Sequence, residues 1–191
     1  FLYNITQSMP NYYSYIMCYD DGAAPNAENK LLTLAICKPQ IRRTAQVGDI
    51  VMAYNGSQLL KNTREKRIIY IAKITGSIPM SDYACLYPQR TDSIYTPSGR
   101  IIPNPFHSEN NSDTDLEGKN VILSRDFIYF GDKHISVPYG LKETIPGRGH
   151  QNQKNLPYGE LIESKFKEWK QTYGTGKIGD YNDKQKKHIR C

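Results

Sequence analysis

The residues best suited to chemistry are arginines, carboxamides and carboxylates set beside glycines and prolines. Arg42 and Arg43 stand just ahead of Gly48-Asp49, and each offers a planar fork of donors that fits a phosphate or a base edge. An ion pair to a neighbour such as Asp49 is the competing role. Asp20, Asp21 and Asn26 flank Gly22 and Pro25. Such side chains ordinarily cap turns, whereas an Asn in a stiff loop can read a Watson–Crick edge through its paired donor and acceptor. Pro25 makes Asn26 the better reader. In Gly147-Arg148-Gly149-His150 the glycines allow close backbone approach to a ligand, with Arg148 and His150 supplying charge and a titratable ring. The alternative there is a plain surface loop, since the motif has neither Walker nor dinucleotide spacing. Tyr54, Tyr129, Phe130 and Trp169 could stack a base, although most belong to a core. Cys37-Lys38 pairs a thiol with a cation, but a thiol ending an apolar run also serves as a small buried hydrophobe.

No metal site is expected. His107, His134, His150 and His188 are dispersed, and Cys18, Cys37, Cys85 and Cys191 lack ligand spacing. The absence of His-x-Glu and Cys-x-x-Cys pairs argues against a zinc deaminase. No cofactor is implied and no disulfide framework is expected.

The elements that must position these groups are legible in outline. A strand is predicted over 12–19, with Tyr13, Tyr15, Met17 and Tyr19 on one face, and another over 31–37. Pro39 opens a short helix through Ala45, with Ile41 and Ala45 facing inward. Strands follow over 50–54 and 67–77, separated at Asn55-Gly56 by a polar loop. Ser81 would cap a short helix over 82–86. Residues 88–119 lose all periodicity and read as a mobile loop. Further strands fall over 120–124, 127–130 and 135–137. A polar loop covers 144–155, and an amphipathic helix over 158–173 carries Leu161, Ile162, Phe166, Trp169 and Tyr173 on one stripe.

This pattern predicts an α+β fold with six or seven strands and three helices. Residues 9–173 form a single domain, residues 1–8 an N-terminal extension or expression remnant, and 174–191 a basic C-terminal tail. The 191 residues carry a net charge of +6. Residues 142–191 hold 11 Lys/Arg and 6 Asp/Glu, a net of +5, leaving +1 for the first 141. That asymmetry suits an anionic partner or a solvated tail. No apolar run approaches membrane-spanning length and no signal peptide is expected, so the location expected is cytoplasmic.

Three segments bear a resemblance: YDDGAAPN (19–26), LAICKPQIRRTAQVGD (34–49), and SRDFIYFG (124–131) with GRGH (147–150). Together the chain resembles the second type of nucleotide modification associated domain, found in bacteria and their phages. Ala27-Glu28 and Ile50 depart from that family's pattern. The order of short basic helix, Gly-Asp turn and apolar strands is also similar to PUA-like folds, including EVE and YTH domains, which implies a strongly curved, barrel-like sheet around a modified-base pocket. The resemblance implies a nucleotide or nucleic-acid partner, DNA rather than RNA, in a DNA-modification context. The ligand would meet Asp20, Asn26, Arg42, Arg43, Tyr54, Arg148 and His150 on one cleft. Two roles remain open: recognition of a modified base or nucleotide, and an enzyme acting on bases or nucleotides in a hypermodification pathway. A protein–protein adaptor has only the basic tail in its favour.

Overall fold

A computed structural model describes residues 9–102, 112–147, 150–153 and 156–183, with backbone alone for residues 112, 150–153, 156 and 157. In chain order the elements are β1 (Tyr12–Met17), β2 (Asn26–Glu28), β3 (Leu31–Leu34), α1 (Pro39–Thr44), β4 (Ile50–Asn55), β5 (Arg67–Lys73), β6 (Gly76–Pro79) and α2 (Met80–Leu86). They continue with α3 (Ser112–Leu116), β7 (Asn120–Ser124), β8 (Asp126–Tyr129), β9 (Ile135–Ser136), β10 (His150–Gln153), α4 (Leu156–Tyr173) and β11 (Gly176–Lys177). The α+β class is as expected.

Two mixed-length sheets stack on each other. The larger runs β10-β1-β4-β5-β8-β11, with β9 on the free stretch of β5, and the smaller runs β2-β3-β7-β6. The smaller sheet is antiparallel throughout, whereas β1 with β4 and β8 with β11 are parallel pairs. Neither sheet closes on itself. The strongly curved, PUA-like barrel expected from element order is therefore not formed. The apolar run over 67–77 splits instead: β5 ends at Lys73, the Thr75 amide donates to Leu123 O at 2.9 Å, and β6 joins the other sheet. Apolar alternation fixes which face is buried, but not which strands become neighbours.

Burial on both faces of each sheet gives three apolar layers. Between the sheets lie Tyr13, Tyr15, Met17, Leu34, Val51, Tyr70, Phe127 and Tyr129. On the outer face of the larger sheet Ile50, Met52, Tyr54, Ile71 and Phe130 meet Ile162, Phe166 and Trp169 of α4, so the stripe read from spacing is the packed face. Outside the smaller sheet, Tyr83 and Ala84 of α2 pack with Ile36, Ile94, Tyr95 and Val121. One bulge adjusts the alternation. Ala53 pairs with Tyr70 and Tyr54 with Ile68, leaving Ile69 as the extra residue, so Ile69 and Tyr70 both enter the inter-sheet layer.

Several expectations about irregular segments change. Residues 88–102 are anchored rather than loose: Asp92, Ile94 and Tyr95 are buried, and Ile94 O accepts from the Ile102 amide at 2.6 Å. Two buried apolar side chains, Ile94 and Tyr95, and one network suffice to fix a stretch whose composition is otherwise polar. Residues 103–111 lie outside the described residues. The presumed loop over 144–155 contributes β10, which pairs with β1. The segment 174–183 docks through β11, through Ile178, whose amide donates to Tyr129 O at 2.8 Å, and through the Tyr181 ring against Tyr129.

Candidate functional site

The expected site residues occupy several different environments. Arg42 is fully buried. Its Nε donates to Asn120 O at 2.9 Å, Nη1 to Cys37 O at 3.3 Å, and Nη2 to Tyr95 Oη at 3.3 Å, while Nη1 lies 3.5 Å from Asp115 Oδ1. Asp115, not Asp49, is its acidic partner. The reason lies at the helix entry: Cys37 and Lys38 both adopt left-handed φ, 59° and 47°, swinging α1 so that Arg42 turns inward and Arg43 outward to solvent. Asp49 instead ties down its own turn, accepting from the Asn11 and Gln46 amides at 2.7 and 2.8 Å.

Asn26 is likewise committed. It lies in β2, 3% exposed; its amide donates to Gly22 O at 2.9 Å and Thr91 Oγ1 at 2.8 Å, and its Oδ1 accepts from Arg90 Nη2 at 2.5 Å. Arg90 also reaches Glu28 O, Leu31 O and Tyr83 Oη, and Tyr83 in turn donates to buried Asp92 at 2.7 Å. Tyr54 is fully buried with its hydroxyl 2.6 Å from Thr144 Oγ1, and burial pushes its pKa up to about 12. No ring face is left for a base. All three side chains are satisfied by partners within the fold. Of the remaining three candidates, Arg148 lies outside the described residues, and His150 is placed by its backbone alone, in β10 opposite Tyr15 of β1.

Asp20 differs from these. It is buried, and its carboxylate accepts from the Tyr129 hydroxyl, from the Asn182 amide at 3.0 Å and from the Asn182 side chain at 2.7 Å. Burial raises its pKa, and the hydrogen bonds from Tyr129 and Asn182 oppose that rise. Around it runs an aromatic array: Tyr15 and Tyr70 share a 2.9 Å hydroxyl contact, Tyr70 stacks on Tyr129, and Tyr181 meets Tyr129 edge-on. Lys38 Nζ sits 4.8 Å from the Tyr15 ring centroid, and burial lowers its pKa. The thiols break expectation too. Cys18 and Cys85 are exposed, and Cys37 is not a free thiol, which removes it as a nucleophile.

At the edge of this array opens a cleft of about 530 Å³. It is lined by residues 58–63 with Arg67, His134, Asn182 and Asp183, so it holds carboxamides, a hydroxyl, three cationic or titratable nitrogen groups and one carboxylate. Leu59 and Leu60 form its apolar side and join the inter-sheet core. The loop is held at its base by Asn55, whose Oδ1 accepts from the Arg67 amide at 2.5 Å and whose Nδ2 donates to Glu65 O at 3.4 Å. Arg67 Nε and His134 Nδ1 are the buried side-chain atoms without a hydrogen-bond partner among the described residues. Asp20, Asn26, Arg42, Arg43 and Tyr54 do not line this cleft, though Asn182 and Asp183 connect it directly to Asp20.

Two overlapping segments of the chain, 9–98 and 91–188, match the family described as nucleotide modification associated domain 2. The chain belongs to that family. The match runs beyond residue 173, in keeping with the docked segment over 174–183, and places this nucleotide modification associated domain in a nucleotide-modification context. No curated protein matches the chain. Among the described residues, no group of three His, Cys, Asp or Glu side chains could hold a metal ion, and no helix is long and apolar enough to cross a membrane.

Lys61, Arg67, His134, Asn182 and Asp183 were not singled out by sequence. The available signal was a polar loop between two apolar strands, opened by Asn55-Gly56 and closed by Arg67. His134 reads as an isolated histidine, and Asn182 and Asp183 as tail.

Proposed function

We propose that this domain recognises a nucleotide or a nucleotide within DNA, most specifically one carrying a modified base, and that the ligand enters the cleft over 58–63, Arg67, His134 and 182–183. The observation that carries the reading is the composition of that cleft within a chain of this family. It combines an apolar wall from Leu59 and Leu60 with the carboxamides of Gln58, Asn62 and Asn182, groups that present a donor and an acceptor together. Such a surface suits the edge and face of a base. Recognition is favoured over catalysis because the polar cluster invoked for an enzyme is dispersed: Asn26 and Arg42 are each consumed by separate buried networks. Exposed Arg43 remains available for a phosphate backbone passing the outer end of α1.

The test is mass spectrometry of nucleotides that co-purify with the chain, followed by titration with oligonucleotides that differ only in one modified base. A retained nucleotide, or tighter binding of the modified strand, supports recognition. Equal binding of both strands with turnover of one of them would assign an enzyme instead.

A further inference from the structure

We infer that Arg67 and His134 form a phosphate subsite, so that the domain takes its ligand as a phosphate-bearing nucleotide and discriminates against the free base or nucleoside. The inference rests on reading the cleft as the nucleotide site and adds which end of the ligand is gripped. Arg67 Nε carries a proton and no lone pair to offer, so only an acceptor can satisfy it. It is buried without a partner, as is His134 Nδ1, and both residues line the same cleft. A phosphate supplies several strong acceptors at once, and the Nε/Nη2 edge of a guanidinium matches two of its oxygens.

The present partners of Arg67 leave Nε on that edge without an acceptor. Nη1 donates to Ser136 Oγ, which anchors the group to β9. Nη2 pairs with Glu65 at 2.8 Å, a carboxylate whose side chain is 74% exposed, and an ion pair so open to water is weak and easily exchanged. Position is fixed by the backbone: the Arg67 amide is bound by Asn55 and its Cα pairs with Ser136 across β5 and β9, with His134 one residue ahead of β9. Lys61 adds a second positive charge on the loop. The acid at the rim, Asp183, is occupied by the Asp20 backbone amide at 3.0 Å, which offsets part of its repulsion of an anion.

The experiment is calorimetric titration of the full chain with the four deoxynucleoside 5′-monophosphates, the four matching deoxynucleosides and inorganic phosphate. At least one monophosphate is expected to bind about tenfold or more tightly than its nucleoside, the worth of a charge-assisted contact. Arg67→Gln should erase that ratio by weakening the monophosphate far more than the nucleoside, and His134→Gln should reduce it. Melting curves of both variants confirm folding, and if Arg67→Gln fails to fold the His134→Gln ratio decides. Equal binding of nucleoside and monophosphate, or a ratio that survives both substitutions, would overturn the phosphate subsite and leave nucleotide recognition standing. Binding by neither class, together with no discrimination among oligonucleotides, would overturn both.

Discussion

Asn182 clasps the buried carboxylate of Asp20 with its backbone amide at 3.0 Å and its side-chain amide at 2.7 Å, across 162 positions of sequence. The Asp20 amide returns the contact to Asp183 at 3.0 Å, and the Asp183 amide donates to Asp20 O at 2.9 Å. The two ends of the described chain are thus joined beside the cleft. What the first loop contributes to the candidate site, it contributes through this clasp.

The clasp has a pH signature. Burial raises the pKa of Asp20, and burial raises that of Asp92 likewise. A carboxyl group whose folded pKa exceeds its unfolded value binds more protons when folded, so stability is greatest below about pH 4 for this contribution and falls as pH rises through the raised native value. Asp20→Asn removes one titrating group and should flatten part of that fall. Denaturant midpoints recorded from pH 3 to 8 for both proteins check it; parallel curves would show that Asp20 titrates normally.

Arg42 is expected to act on stability. Replacing it by Ala leaves Asp115 buried with its cation removed, a change worth about 3–5 kcal/mol. Arg42→Lys should recover little, because one ammonium cannot serve Asn120 O, Cys37 O and Asp115 together. Urea denaturation measures both variants. A loss below about 0.5 kcal/mol would be that of a surface substitution and would contradict the buried ion pair.

Gly131 tests the docking of the C-terminal segment. Its φ is +54°, and an added Cβ would meet Asp180 O, while Asp132 and Asp180 exchange amide contacts at 2.8 Å. Gly131→Ala should cost at least ~1–2 kcal/mol from the left-handed backbone alone and should release residues 178–182. Amide exchange reads this directly: the amides of Ile178 and Asp180 should lose protection, with β4 and β5 unaffected.

Much of the scaffold was legible because its signals are local. Pro39 and Gly48-Asp49 framed α1 and β4, and the Ile162, Phe166 and Trp169 spacing marked the buried face of α4. The pairing of strands was not legible, since the run over 67–77 is equally apolar whether it forms one strand or feeds two sheets. Which polar residues are taken up by the fold was not legible for a related reason. Arginine and asparagine beside proline and glycine look alike whether they serve a ligand or a buried network. What separates them is an acid or carbonyl from far along the chain: Asp115 for Arg42, and Arg90 for Asn26. His134 and Asn182 gained their place only when β9 and β11 brought them to the loop over 58–63.

The central claim is that nucleotides enter the cleft beside the Asp20–Asn182 clasp. The most direct measurement is a backbone amide NMR titration of the full chain with the four deoxynucleoside 5′-monophosphates and a short single-stranded oligonucleotide. Saturable shifts are expected at Leu59, Lys61, Asn62, Arg67, His134 and Asn182, with Arg42 and Tyr54 unmoved. Saturable shifts centred on α1 and β2 with the cleft amides unmoved, or no shift with any of these ligands, would contradict the account.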